Sequence, residues 1–245
     1  MTNSWILILG ANSDMATATA RRFARAGYNI HLASRNTEEL ERETSHLKIK
    51  YGVQAQNVFF DAQDYASHPG FYSDLLPKPF GVVLAFGLMG QQDQAQNDFS
   101  QTREIIDTNF TGAVSILEVI SADFERRKYG FIVGISSVAG DRGRQSNYIY
   151  GSAKAGLSAY LSGLRHRFFA SGVHVLTVKP GFVATKMTAD LDLPGKLTAQ
   201  PQEVGDRIFE AVRKKKNTIY VRGVWRQIMF TIIHLPEFIF KRTKL

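Results

Sequence analysis

Short runs of large aliphatic and β-branched residues alternate with amphipathic stretches along almost the whole chain, and that alternation leaves few folds open. "SWILILG", "YNIHLAS", "VQAQNVFFD", "PFGVVLAFG", "GFIVGISS", "GVHVLTVKPG" and "TIYV" read as strands bounded by turn residues. Between the first two, "DMATATARRFARAG" reads as a helix with Phe23 inward and Gly27 as its stop. Thr37 is expected to cap a charged helix running to about Tyr51. Long helices are expected over about 97–127 and 147–170, and Pro201 opens a helix ending in Lys214–Lys216. Repeated strand–helix–strand order demands crossover connections, hence an α/β fold with a doubly wound parallel sheet and helices on both faces. No linker, low-complexity segment or repeat interrupts it, so a single domain is expected over 1–222, with 223–245 as an amphipathic tail. Ligands of such sheets bind just beyond the carboxyl ends of the strands, so the residues there are the ones to read for chemistry.

Hydrophobic residues make up 44% of 245, enough for a sizeable core, and the absence of cysteine excludes disulfides and thiolate catalysis. The first residues lack a basic n-region and a full apolar segment, no run reaches a bilayer-spanning length, and a cytoplasmic location is expected. A net charge of +8 suggests anionic partners: nucleotide phosphates, nucleic acid or an anionic membrane face. Nucleic acid has only the charge in its favour, since no recognition motif is present and the bases cluster near the tail. The six histidines show no metal-ligand spacing, so no metal is assigned.

The strongest chemical pattern is "YGSAK", which puts Tyr150 and Lys154 on one helix face. A nearby ammonium favours phenolate, so Lys154 is expected to lower the Tyr150 pKa and suit it to proton transfer. Ser137, in "GISSVAG", falls at a strand's carboxyl end, where a hydroxyl can face the ligand crevice. Asn109 falls mid-helix, an unfavourable place for asparagine unless its side chain has a task. Thr185 follows a Pro-Gly turn in "KPGFVATKM".

As a set, from the first turn to about Val221, these residues resemble the short-chain dehydrogenase/reductase family and imply a Rossmann-like sheet. The serine thirteen positions before the tyrosine is Ser137, not Ser136, and Tyr148 is a decoy because Ser152, not a lysine, follows four residues on. The resemblance implies that Tyr150 gives a proton to the substrate oxygen and Ser137 hydrogen-bonds that oxygen. By the same resemblance Lys154 lowers the tyrosine pKa and binds the nicotinamide ribose, and Asn109 holds a water on the proton path. Hydride would come from a nicotinamide, because the protein has no redox group of its own.

It also implies a cofactor site. The family's first turn is glycine, three residues, glycine, any residue, glycine; here Gly10 stands, and Asp14 and Ala16 replace the other two. Asp14 is expected to point away from the pyrophosphate and serve the helix N-terminus, with Asn12 and Ser13 offering donors to phosphate beside Met15. After the second strand, Ser34 stands where an acidic residue would favour NAD, and Arg35 suits a 2′-phosphate. NADP(H) is therefore the expected cofactor, with NAD(H) the second choice. Asp61 and Ala62 would border the adenine. Ala85, Phe86 and Gly87 replace the family's usual Asn-Ala-Gly after the fourth strand, which points to a subgroup. Pro180, Gly181, Val183 and Thr185 would close the nicotinamide end.

"VVLAFGLMG", "SSVAGDRGRQSNYIYGSAKAGL" and the tail resemble a branch that partners an epimerase oxidase and reduces a 2-keto sugar on a polyprenyl phosphate. In the tail, Trp225, Ile228, Met229, Phe230, Ile232, Ile233, Leu235, Phe238, Ile239 and Phe240 are interleaved with Arg222, Arg226, Lys241, Arg242 and Lys244. That pattern suits a segment lying in an anionic membrane interface, or one packed on its own domain or a partner subunit. Peripheral contact with the inner membrane face is the expectation, since a lipid-linked substrate would require it. Two other readings stay open: a soluble reductase of a small ketone, steroid or acyl substrate, and a silent nucleotide-binding scaffold. The long helices near 97–127 and 147–170 resemble the family's interface, so a homo-oligomer is expected.

Overall fold

The computed structural model describes residues 3–189 and 192–243. Seven strands form one wholly parallel sheet: β1 (Trp5–Leu9), β2 (Asn29–Ser34), β3 (Ala55–Phe59), β4 (Gly81–Leu84), β5 (Phe131–Ile135), β6 (His174–Lys179) and β7 (Thr218–Tyr220). Their spatial order is β3-β2-β1-β4-β5-β6-β7. The order reverses between β1 and β4, which is where such a sheet opens a ligand crevice.

Alternation along β1 builds two cores at once. Ile6 and Ile8 face one side of the sheet, where α1 (Asp14–Arg25) and α8 (Pro201–Arg213) contribute Phe23 and Ile208. Leu7 and Leu9 face the other, against Ile120 and Phe124 of α6 (Gly112–Arg127) and Leu157 and Leu161 of α7 (Tyr148–Arg167). With both faces covered, every residue of β1 is buried, which is why its sequence is a continuous apolar run rather than an alternating one.

α1 starts where Ser13 accepts the Ala16 N–H (3.1 Å) and runs into Gly27 at φ +88°. Thr37 does not cap with its side chain; a 3₁₀ turn, Glu38–Leu40, leads into α2 (Glu41–Tyr51). The helix expected over 97–127 is three pieces. α5 (Phe99–Ile106), with Asp98 accepting the Ser100 N–H, passes through a π turn at Asp107–Thr111 into α6. Among the described residues, Phe99–Arg127 is the one helical stretch long and apolar enough to cross a membrane. The full burial of Ile116, Leu117, Ile120 and Phe124 in the domain core accounts for that composition. Four further helices stand where no helix was expected: α3 (His68–Asp74), the short α4 (Gln92–Ala95) and, within the tail, α9 (Val224–His234) and the short α10 (Glu237–Phe240).

Candidate active site

Two cavities meet at the carboxyl ends of the strands. The first, about 370 Å³, runs from Ser34, Arg35, Asp61 and Ala62 past Gly10, Asn12, Ser13, Asp14 and Met15 to Ala85, Phe86, Gly87, Tyr150, Lys154 and Thr185. The second, about 730 Å³, shares Tyr150 and Thr185 and adds Ser137, Pro180, Gly181 and Val183. The last three were expected at the cofactor, but they line the second cavity and not the first.

Gly10 has φ +82°, and a methyl there would come within 2.5 Å of the Phe86 backbone nitrogen, so the first turn needs glycine for both conformation and space. The replaced glycines are accommodated differently from expectation. Ser13, not Asp14, is the cap of α1, and Asp14 Oδ2 accepts the Lys186 N–H across the crevice (2.8 Å). Asn12 is not free to donate to phosphate: its Nδ2 is held by Asn36 O and Glu39 Oε2, each at 3.1 Å. The anion-binding element left at the cavity is therefore the start of α1 itself, whose first-turn N–H groups favour a pyrophosphate. Arg35 is exposed at the far end and makes no ion pair among the described residues. Asp61 turns its Oδ1 to the Gln63 N–H (3.0 Å), and its carbonyl is held at 3.0 Å by the buried His68. These features fit a dinucleotide.

Tyr150 sits on the wall between the cavities, with Ser137 beside it lining the second. Burial pushes its pKa up to about 12, and the Ser137 hydroxyl opposes the rise. Lys154 is buried; its Nζ donates to the Ile135 carbonyl (3.2 Å) and lies 5.7 Å from the Tyr150 ring centre. Burial brings its pKa down to about 8. The expectation that Lys154 lowers the tyrosine pKa thus needs correction for this structure: the ammonium is turned to a carbonyl, and loss of solvent decides both pKa values. Ser136 borders both cavities, but its hydroxyl is spent on Lys154 O (2.9 Å) and Ser158 (2.7 Å), whereas Ser137, in the second cavity, is the serine available to a substrate oxygen. Tyr148 is exposed, with its hydroxyl 3.4 Å from Gln96.

Asn109 is fully buried inside the π turn, a local widening that frees side chains from the regular helical ladder. Its Nδ2 donates to Leu88 O (2.6 Å) and Ile105 O (2.8 Å), and its Oδ1 accepts the Leu88 N–H (3.3 Å). It clamps the segment after β4 against the helix. A methyl on Gly87 would meet Asn109 Oδ1 at 2.8 Å and Lys154 Nζ at 3.2 Å, so glycine there lets amide, ammonium and crevice share one point.

The short-chain dehydrogenase family model matches residues 4–194. The chain belongs to that family. It is 34% identical over 240 residues to an uncharacterised oxidoreductase of Mycobacterium tuberculosis, covering 97% of this chain and 96% of that one. It is 30% identical over 227 residues to serine 3-dehydrogenase of Agrobacterium fabrum, covering 88% and 86%. The fold matches a short-chain dehydrogenase from Sphingobium yanoikuyae in complex with NADPH, with TM-score 0.80, 21% identity and 93% of each chain covered. It also matches a 7β-hydroxysteroid dehydrogenase, with TM-score 0.86, 18% identity and coverage of 98% and 96%.

The matched family segment stops before the tail, and there the short-chain dehydrogenase crevice gains a wall that the sequence did not reveal. Trp225 of α9 lines the second cavity, and a methyl on Gly181 would overlap its indole ring. The indole donates to Leu197 O (3.0 Å) and meets Phe182 edge-on. Trp225, Met229 and Ile232 are buried with Val138, so this face of the tail packs on its own domain. Phe230, Ile233, Phe238 and Ile239 remain exposed, as do Arg226, Lys241 and Arg242, while Lys244 lies outside the described residues. Arg142, also unforeseen, ties the segment down: its guanidinium donates to Ile232 O and Leu235 O (2.6 Å each) and to Glu237 (2.8 Å), and covers the Phe240 ring at 3.8 Å.

Proposed function

We propose that this short-chain dehydrogenase is an NADP(H)-preferring carbonyl reductase in which Tyr150 is the proton donor. The observation that carries the reading is the position of Tyr150 on the wall common to both cavities, with Ser137 beside it in the second. The first cavity takes the dinucleotide, and the second takes the carbonyl compound. When bound, the nicotinamide supplies hydride. Tyr150 keeps its proton at neutral pH because burial holds its pKa near 12, and releases it to the substrate oxygen as charge develops there. Ser137 holds that oxygen and stabilises its charge. Lys154 lies close enough to Gly87 to hold the nicotinamide ribose, and Asn109 fixes the strand end beneath it. Arg35, exposed beside Ser34, favours a 2′-phosphate; solved neighbours of the same fold hold NADPH or NAD, so the preference rests on this residue.

Replacing Tyr150 with phenylalanine tests this. Carbonyl-dependent oxidation of NADPH should fall about 10²–10⁴-fold, while fluorescence titration still reports NADPH binding. Unchanged turnover removes the proton-donor role. Turnover absent from the native chain, with cellular function unaffected by the exchange, favours the silent scaffold.

The finer substrate reading is a keto sugar on a polyprenyl phosphate, met at the inner membrane face and supplied by an oxidase. One observation favours it over a freely soluble ketone: α9 walls the second cavity through Trp225 while exposing Phe230 and Ile233 on its outer side.

A further inference from the structure

Among the described residues, the second cavity holds one charge. Met89, Ile105, Ile149, Phe182 and Trp225 give it an apolar lining, and no Asp or Glu is among the described residues that line it. The one ionised side chain among them is Arg144, on the loop between Ser137 and Tyr150. The Nε of Arg144 is buried without a hydrogen-bond partner. Asp141 is the acid that acts on it electrostatically, but that carboxylate is already engaged by Lys179 and by the Tyr220 hydroxyl (2.8 Å). The neighbouring Arg142 makes a useful contrast, because every hydrogen bond it forms goes to the tail, at α9, α10 or Leu235 between them. Two other polar atoms in the same cavity are equally unprovided for: Gln92 Nε2, whose partner oxygen is spent on the Ile149 N–H, and Asn147 Oδ1.

A guanidinium left partly desolvated and unpaired is costly to the folded protein. A bound anion removes that cost, and the planar fork of arginine matches carboxylate and phosphate oxygens two at a time. We infer that Arg144 is the anion anchor of the substrate cavity, so that the substrate carries a carboxylate or phosphate as well as its carbonyl. Gln92 Nε2 supplies a second donor to the same group or to an adjacent hydroxyl. Arg144 remains cationic throughout the working pH range, so the anchor does not depend on pH. The inference rests on the second cavity being the substrate's.

Tryptophan fluorescence of the full chain reads occupancy directly, since Trp225 lines the cavity and Trp5 is stacked on His31 elsewhere. The probes are matched pairs sharing one carbonyl or chain: 4-oxopentanoate and its methyl ester, dihydroxyacetone phosphate and dihydroxyacetone, farnesyl phosphate and farnesol. In the native protein at least one anionic member should bind tenfold or more tighter than its neutral partner. Arg144→Gln should abolish that preference while leaving the neutral partner's affinity unchanged, and Arg144→Lys should keep part of it. The pair with the largest preference identifies whether the anion is a soluble carboxylate, a soluble phosphate or a lipid-borne phosphate. Should Arg144→Gln not fold, inorganic phosphate must still weaken binding of the anionic member in the native chain and not that of the neutral one. Equal affinities within every pair, or a preference that survives Arg144→Gln, overturns the anchor. Failure of the reductase reading looks different: no probe would support NADPH oxidation, yet the preference for anions would persist.

Discussion

Lys154 bears a burial cost at neutral pH that its neighbour Tyr150 escapes, because the lysine is charged there and the phenol is not. A base whose pKa falls from 10.5 in the unfolded chain to about 8 in the folded one weakens the fold below pH 8, and the penalty is relieved as pH rises from about 8 to 10.5. Tyr150, raised to about 12, acts in the opposite sense only above pH 10. Between pH 7.5 and 9.5 the native chain should therefore gain on the order of 1–2 kcal/mol relative to Lys154→Met in urea unfolding. Parallel profiles for the two proteins would mean that Lys154 keeps its ordinary basicity. Arg35 decides cofactor choice on the same scale. Arg35→Ala should weaken NADPH about 10–100-fold, the worth of one or two charge-assisted hydrogen bonds, and leave NADH unchanged; equal losses for both cofactors would remove the 2′-phosphate role. The types of the chemical residues were legible in the sequence because spacing alone brings Tyr150 and Lys154 to one helix face. What spacing did not reveal was their environment: which carbonyl takes the ammonium, or that Asn12 spends its amide on Asn36 and Glu39.

Among the elements, the strands were the most readable: in β1, burial on both faces leaves a continuous apolar run that few other structures tolerate. The break in the helix over 99–127 was harder. No proline or glycine pair marks the π turn; the one hint is an asparagine at an interior helical position, and its cause, the clamp on Leu88, is a long-range contact. The tail's apolar residues interleaved with bases left open whether it meets a membrane or its own domain; α9 packs one side, through Trp225, Met229 and Ile232, on the domain and leaves Phe230 and Ile233 exposed. Arg142 holds the end of that helix, donating to Ile232 O, which otherwise receives only the long Leu235 N–H contact (3.4 Å), and to Leu235 O just beyond it. Arg142→Met should keep the stem and lose the bonds, lowering stability by about 1–3 kcal/mol in thermal or urea melts. It should also raise hydrogen exchange through 224–240 before the rest of the chain. Uniform exchange would show that the clip contributes nothing.

For the molecule as a whole, the exposed aromatic and aliphatic residues of the last two helices, with the bases beside them, form the surface on which the proposed membrane contact would depend. Flotation with vesicles rich in anionic lipid should carry the native chain upward, and the pair Phe238→Ser and Ile239→Ser should stay below while reducing a soluble ketone at the native rate. A native chain that never floats would return the substrate to solution. The division of labour across the chain follows the family match itself. Residues 4–194 contain the turn at Gly10 and the Tyr150–Lys154 pair, whereas Trp225 lies beyond them and still borders the second cavity. The tail thus closes the second cavity from outside the family-matched segment, so exchanging Trp225 should alter which molecules gain admission while leaving the Tyr150–Lys154 pair in place.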